Sequence, residues 1–174
     1  MAGILKGDVI GMTKERKMTV VTVLKKIIKL YEETTFIPQS VSFSNEKLRI
    51  QSSDLTGELL DYYQHIAFDK NLYFANDSFN IILLPLDSPA RTVECWALQD
   101  DPQFTEGQYQ IFAATDIDDI LFCDIRDEKS PVYAWIPGEC NYYKLSESLT
   151  EFLEFYFAFS NFWKLREDVP LEEY

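Results

Sequence analysis

The chain has 174 residues, of which 47% are hydrophobic and 15% aromatic, and this composition excludes a disordered, collagen-like or low-complexity protein. Its 16 Lys and Arg residues against 29 Asp and Glu residues give a net charge of −13. Such a charge argues against a protein that binds nucleic acid or an anionic membrane, and it favours basic partners.

The cysteines indicate a reducing compartment. Cys95, Cys123 and Cys140 make an odd number without a CxxC spacing, so we expect three core thiols rather than disulfides, a zinc knuckle or a thioredoxin-like site. The first 13 residues lack the continuous apolar segment of a signal peptide, and no stretch approaches the roughly 18 apolar residues of a membrane span. We therefore expect a cytoplasmic protein.

The length predicts one domain. We place a loose leader at 1–13, a single domain at 14–165 and an acidic, solvated tail at 166–174. The charge is uneven along the chain, because residues 1–30 sum to +5 and residues 31–174 to −18. The basic segment falls on the first predicted helix, where we interpret it as a solvated face.

Helical periodicity begins at residue 14 and continues to residue 33. Its apolar stripe consists of Val20, Val23, Leu24, Ile27, Leu30 and Tyr31. A second helix is predicted near 55–66, capped by Asp54 or Thr56, and short extended pieces are predicted between 41 and 53.

After Asn71 the period changes to short β-type runs separated by turn residues. These runs are Leu72–Phe74, Phe79–Leu84, Thr92–Leu98, Tyr109–Ala114, Ile120–Ile125, Val132–Ile136 and Tyr142–Leu145. Their spacing predicts antiparallel hairpins, because parallel strands would need crossover helices between them.

The last predicted element is a helix over residues 148–163. Ser148 and Glu151 fit a capping box, and an aromatic stripe follows at helical spacing. The sequence thus predicts an α+β fold, in which an antiparallel sheet packs against helices near 18–33, 55–66 and 148–163.

A catalytic site is not predicted. His65 is the only histidine, and its place in an apolar helix favours a structural role over a catalytic one. One histidine without a cysteine pair cannot form a histidine-rich metal site, and the glycines do not form a phosphate-binding loop. We expect no cofactor, no bound metal and no enzymatic activity.

The segment Asp116-Ile117-Asp118-Asp119 offers the strongest alternative. It follows a predicted strand, as do the paired aspartates of haloacid-dehalogenase-type phosphatases, which supply a nucleophile and an acid/base beside Mg²⁺. A metal-dependent hydrolase using Asp116 and Asp118 is therefore an open hypothesis. The strand-like run that begins at Ile120 favours a hairpin turn instead, and a turn would spread these carboxylates into solvent.

Several segments resemble SUKH-superfamily domains, which include bacterial toxin-immunity proteins and a yeast cell-wall synthesis regulator. The similar segments are Leu55–Tyr63, Ile111–Ala113, Asp116–Asp119, Ile120–Asp124, Pro131–Trp135 and Ser146–Leu153. Together they cover about two-thirds of the chain. The resemblance implies an α+β fold and a protein that acts by binding.

The resemblance implies an immunity protein that neutralises a cognate polymorphic toxin, often a nuclease, by stoichiometric binding in the cytoplasm. Such proteins serve contact-dependent competition between cells. A regulatory or scaffolding module of the same fold is the alternative. A toxin gene immediately upstream would distinguish the two. The oligomeric state is not predicted.

We expect the acidic turns to make first contact with a basic toxin. The candidate partner-binding residues are Asp116, Asp118, Asp119, Asp127, Glu128 and Glu139, which we expect to lie on one rim. The competing interpretation is that these turns are acidic merely because turns favour Asp. Asp124 is set apart, because it ends a hydrophobic strand and is predicted to be a buried hydrogen-bond acceptor.

Overall fold

The computed structural model describes residues 18–32, 41–44, 47–48, 50, 54–68, 72–74, 81–139 and 141–167. The expected leader at 1–13 lies outside these residues, as does residue Cys140. The first two residues of the expected tail, Arg166 and Glu167, are the last two residues of a helix, and the rest of the tail is not described.

Three helices form one layer of the fold: α1 (Val20–Glu32), α2 (Gly57–His65) and α4 (Leu149–Glu167). In α1, Lys25, Lys26 and Lys29 are exposed, so the described part of the basic segment is a solvated face as expected. The buried residues of the predicted stripe are Val20, Val23, Leu24, Ile27 and Leu30. The predicted second helix ends at His65, and the chain continues directly into a strand. A short helix, α3 (Pro102–Thr105), lies elsewhere.

The second layer is a sheet of six antiparallel strands in sequence order. The strands are β3 (Leu72–Phe74), β4 (Ile81–Leu83), β5 (Tyr109–Thr115), β6 (Ile120–Asp124), β7 (Val132–Trp135) and β8 (Tyr142–Ser146). β1 (Val41–Phe43) and β2 (Ile66–Phe68) form a separate antiparallel pair. The predicted α+β class, the antiparallel sheet and its helices are confirmed.

Alternation along the strands gives the sheet two different faces. The helix-side face carries Leu121, Cys123, Val132 and Ala134 into a core shared with α1, α2 and α4. The other face, which we call the outer face, carries a second apolar cluster built on Ile111, Ile120 and Phe122. Both faces are therefore covered, the outer one by the segment that links β4 to β5.

The prediction of a strand at Thr92–Leu98 is wrong. Pro89–Arg91 and Val93–Trp96 form short 3₁₀ helices, the first begun by Pro89 and capped by the Ser88 hydroxyl, which accepts from the Ala90 N–H at 3.3 Å. The indole N–H of Trp96 donates to the Ala90 carbonyl at 2.6 Å, which folds the segment back on itself.

The cysteines only partly follow the expectation of core thiols. Cys123 is fully buried in the helix-side core, and its burial raises the pKa of the thiol. Cys95 is exposed, because the segment that carries it is a 3₁₀ turn and not a buried strand. In the described part of the chain, no helix has the length and apolar character needed to cross a membrane.

Candidate functional site

The six candidate residues occupy two opposite ends of the sheet, so the prediction of a single acidic rim is wrong. Consecutive antiparallel hairpins turn at alternate ends. The turns 116–119 and 136–139 lie at one end, which we call the hairpin end, and the loop 125–130 lies at the other, which we call the loop end. β6 has five residues, so the two ends are about 16 Å apart.

The hairpin end carries four of the six candidates: Asp116, Asp118, Asp119 and Glu139. Its two turns are separated by two strand spacings, or about 10 Å, which is close enough for one partner to cover both. The sequence has no Lys or Arg in 116–119 or 136–141. The result is a cluster of acidic side chains at one end of the sheet.

Backbone geometry explains why aspartates occupy the first turn. The Thr115 N–H donates to the Asp119 carbonyl at 2.8 Å, and the Asp119 N–H returns a bond to the Thr115 hydroxyl at 3.0 Å. Asp118 has φ +67°, a left-handed conformation that Asp and Asn adopt more readily than most residues. Between the exposed carboxylates of Asp116 and Asp118, the Ile117 side chain is 72% exposed.

The hairpin prediction for this turn is confirmed. Ala114 pairs with Ile120, so the chain reverses directly into β6 and no crossover helix follows the aspartates. A phosphatase of the haloacid-dehalogenase type needs that helix. Throughout the described residues, no group of three or more His, Cys, Asp or Glu side chains is placed to hold a metal ion.

The second turn is closed by Gly138, which has φ +85°, and by the Glu139 N–H, which donates to the Ile136 carbonyl at 3.0 Å. The exposed Glu139 carboxylate accepts a hydrogen bond from the Tyr143 hydroxyl, and this bond raises the pKa of Tyr143. An aromatic ring and a carboxylate therefore stand together at this corner.

The outer face adds aromatic side chains to the site. Phe122 is fully buried, and the rings of Phe104, Tyr109, Tyr133 and Tyr142 surround it at centroid distances of 4.9, 4.8, 5.6 and 5.4 Å. Tyr109, Tyr133, Trp135 and Tyr142 are only partly buried. Trp135 pairs with Ile120 and Tyr142, which places it next to the hairpin end.

The sequence alone did not predict which aromatic side chains are exposed. A usable signal was the alternation in the strands, which puts Tyr133 and Trp135 on one face of β7 and Tyr142 on the same face of β8. The sequence did not show how much of this face is covered by the segment between β4 and β5. Asp101, at the start of α3, accepts a hydrogen bond from the Tyr142 hydroxyl, and burial together with this bond raises the pKa of Tyr142.

Asp127 and Glu128 belong to the loop 125–130, whose backbone anchors α2. The Glu128 carbonyl accepts from the Glu58 N–H at 2.8 Å, and the Ser130 hydroxyl accepts from the Leu59 N–H at 3.1 Å. The Asp127 carboxylate accepts from the Lys129 N–H at 2.9 Å, so this aspartate is a turn residue. The competing interpretation, that the turns select Asp for their own geometry, therefore describes Asp127 well.

The capping box of α4 is confirmed. The Ser148 hydroxyl accepts from the Glu151 N–H at 3.0 Å, and the Glu151 carboxylate reaches back to the Glu147 N–H at 2.7 Å. Other parts of the fold satisfy the two preceding amides. The Thr150 N–H donates to the Glu58 carboxylate at 2.7 Å, and the Leu149 N–H donates to the Lys129 carbonyl at 3.0 Å.

Asp124 is a hydrogen-bond acceptor, as expected, but it is partly rather than fully buried, because its partner is the exposed Arg126. The guanidinium donates to both carboxylate oxygens, at 2.9 and 2.6 Å, and these bonds hold the pKa of Asp124 below its usual range. The same guanidinium lies 5.7 Å from the centre of the Tyr109 ring. One cation is thus held by a carboxylate and an aromatic ring together.

His65 has the structural environment that the sequence indicated. It is largely buried at the end of α2, and its Nδ1–H donates to the Asp61 carbonyl at 2.9 Å.

Comparisons with protein-family models, with curated proteins and with solved structures found no match for the chain. The resemblance to SUKH-superfamily domains accordingly rests on the segments quoted above. In the structure these segments are most of α2, the middle of β5, the turn 116–119, the strands β6 and β7, and the end of β8 with the beginning of α4.

Proposed function

We propose that this chain is an immunity protein of the SUKH type, which binds a cognate protein toxin one to one and blocks its action. The observation that supports the proposal most directly is the hairpin end, where four carboxylates stand without a Lys or Arg in either turn. A protein that works by occlusion needs such a surface and does not need a catalytic centre.

Charge favours a basic toxin as the partner. A toxin that cleaves nucleic acid must meet phosphates with Lys and Arg, and a surface of that sign is attracted to a protein of net charge −13. Complementary charge mainly raises the rate of association, which is the property that an inhibitor of a fast-acting toxin requires.

Apolar and aromatic groups next to the charge supply the contacts that slow dissociation. Ile117 projects from the tip of one turn, and Trp135 lies beside both turns on the outer face. Exposed Trp and Tyr are enriched among residues that dominate binding energy in protein interfaces. In this proposal the carboxylates guide the encounter and these side chains hold the complex.

The proposal places the protein in the cytoplasm, where the toxin would act. Two of the described cysteines, the exposed Cys95 and the buried Cys123, form no disulfide in the structure. An exposed thiol is typical of a reducing compartment.

Co-expression tests the proposal. The gene is cloned with each of its flanking genes, and the growth of cells is measured when the flanking product is made with and without this chain. We expect one flanking product to be toxic alone and harmless with the chain, and the two proteins to purify as a one-to-one complex. No relief of toxicity by this chain would contradict the proposal, and a stable complex without relief would favour the scaffolding alternative.

A further inference from the structure

β8 lies at one edge of the six-stranded sheet. It pairs with β7 on one side, and no strand in the described part of the chain pairs with its other side. An edge strand presents backbone N–H and C=O groups that can pair with a strand of another chain. The strand at the opposite edge, β3, has three residues, so β8, with five, offers the longer edge.

The register of the sheet shows which backbone groups of β7 point toward β8. In antiparallel strands, hydrogen-bonded pairs alternate with non-hydrogen-bonded pairs, so successive residues direct their backbone groups to opposite sides. The Asp124 N–H donates to the Pro131 carbonyl at 3.1 Å, which makes this a hydrogen-bonded pair. Counting from it, Tyr133 and Trp135 direct their backbone groups to β6, and Ala134 directs its own to β8.

The same count identifies the groups on the open side of β8. Tyr143 is opposite Ala134, so its N–H and C=O point to β7. The N–H and C=O of its two neighbours, Tyr142 and Lys144, therefore point away from β7, and we call these four groups the free edge. The register shifts between the partners of Val132 and Tyr133, so the regular part of the edge ends at Lys144.

Apolar side chains accompany the free edge. Tyr143 and Leu145 are 42% and 47% exposed. Tyr143 lies on the helix side of the sheet, as does its cross-strand partner Ala134, which belongs to the core. The helices thus leave the helix side of β8 partly uncovered, and an added strand would bury this surface.

The charges near the free edge favour a basic strand. Residues 136–151 contain three acids, Glu139, Glu147 and Glu151, and one base, Lys144. A lysine on an edge strand discourages unspecific pairing, but the Lys144 ammonium lies 2.5 Å from the Glu147 carboxylate, so its charge is compensated. A second copy of the chain, with a net charge of −13, would be repelled.

We infer that the free edge of β8 binds an extended strand of a basic protein partner, which adds to the sheet. Backbone hydrogen bonds to Tyr142 and Lys144 hold such a strand, and its side chains contact Tyr143. The inference rests on the proposed function, because it takes the partner to be a basic protein. The turn 136–139 of the hairpin end is two residues from β8, so a partner that contacts this turn is already beside the edge.

The probes are two fluorescein-labelled peptides of alternating lysine and valine. They are identical except that one is N-methylated at two adjacent central residues, which blocks a donor on each side of the peptide. Both carry the same charge, so only strand pairing distinguishes them. By fluorescence anisotropy with the full chain, we expect the unmethylated peptide to bind about tenfold more tightly.

Variants of Lys144 locate the binding on β8. Lys144→Pro removes an outward N–H and should reduce the preference for the unmethylated peptide to less than about twofold. Lys144→Gln is the matched control, because it keeps the N–H and removes the charge, and it should bind the unmethylated peptide at least as tightly as the wild-type chain.

Amide hydrogen exchange in the wild-type chain, measured by NMR, does not depend on whether the proline variant folds. The unmethylated peptide should slow the exchange of the Tyr142 and Lys144 amides and leave that of Tyr143 nearly unchanged, because Tyr143 already donates to β7.

Equal affinity for the two peptides, or unchanged exchange at Tyr142 and Lys144, would overturn the inference. Slow exchange at both amides in a concentrated sample without peptide would show that a second copy occupies the edge, and would overturn it too. If co-expression relieves toxicity while the peptides bind equally, the inference alone fails. If the edge binds the unmethylated peptide and no flanking product is neutralised, the edge site stands and the proposed function fails.

Discussion

At Gly57 the start of α2 packs directly against the backbone of the loop 125–130. This glycine has φ +58°, and a Cβ built there would lie 2.2 Å from the Glu128 carbonyl oxygen. That oxygen accepts the Glu58 N–H, so it cannot move away without loss of the bond. Both the conformation and the contact therefore require glycine at this position.

Gly57→Ala should lower the free energy of unfolding by more than about 3 kcal/mol, because a left-handed alanine costs about 1–2 kcal/mol before the clash is counted. Gly138→Ala is the matched control, since Gly138 has φ +85° and nothing lies within 4 Å of the added Cβ. Urea denaturation measures both. Equal losses in the two variants would show that the contact with Glu128 has no role.

Some contacts of single residues could not be predicted from the sequence. The isolation of Asp124 at the end of a hydrophobic strand was sufficient to predict an acceptor, but its partner Arg126, two residues away, was not predicted. The role of Gly57 depends on a carbonyl 71 residues further along the chain, and no local pattern reports such a contact.

At the scale of elements, α2 and α4 are joined through their N-termini. The Glu58 carboxylate of α2 accepts the Thr150 N–H of α4, and the loop 125–130 contacts both helices. Thr150 is buried, so its amide has no access to an alternative partner in water. The negative charge also lies favourably at the positive end of the helix dipole.

Glu58→Ala should therefore destabilise the protein by about 1–3 kcal/mol, the cost of leaving a buried amide without its charged acceptor. Glu151→Ala provides the comparison, because Glu151 caps the exposed Glu147 amide and its loss should cost less than about 1 kcal/mol. Thermal unfolding of the two variants, followed by circular dichroism, tests whether the Glu58 variant is the less stable one. A Glu151 variant as unstable as the Glu58 variant would contradict the role given to the inter-helix bond.

Strong periodicity predicted most elements well. Strands β5 to β8 agree with the predicted β-type runs to within one residue at each end. The buried positions Leu149, Phe152, Leu153 and Tyr156 of α4 follow the predicted helical stripe. The prediction of a strand at Thr92–Leu98 failed because the β-branched and apolar residues of this segment are typical of a strand. In the structure, the cap by Ser88 and the hydrogen bond of the Trp96 indole stabilise 3₁₀ turns instead. These local side-chain hydrogen bonds overrode the β-propensity of the segment.

At the scale of the whole molecule, the connectivity divides the acidic turns between two ends. Counting hairpins would have predicted this division, because each reversal of an antiparallel sheet moves the chain to the opposite end. The exposure of Trp135 and Tyr142 was not predictable in this way. It depends on how far the segment between β4 and β5 extends over the outer face.

The division yields two acidic pairs that carry equal charge and lie about 16 Å apart. Asp116 and Asp118 project from the hairpin end, and Asp127 and Glu128 from the loop end. Removing either pair changes the net charge by the same amount, so long-range attraction to a basic partner falls equally. Any further difference between the association rates of the two variants shows where the partner makes first contact, because salt at 0.1 M screens the attraction between exposed charges beyond about 10 Å.

The decisive measurement is the association rate of the toxin identified by co-expression with three proteins: the wild-type chain, Asp116→Asn/Asp118→Asn, and Asp127→Asn/Glu128→Gln. Stopped-flow fluorescence gives these rates at a low salt concentration of about 0.1 M and at a high one of about 1 M. We expect the hairpin-end variant to associate about fivefold more slowly than the loop-end variant at low salt, with the difference lost at high salt. Equal rates for the two variants at low salt, or a greater loss from the loop-end pair, would contradict a binding surface at the hairpin end.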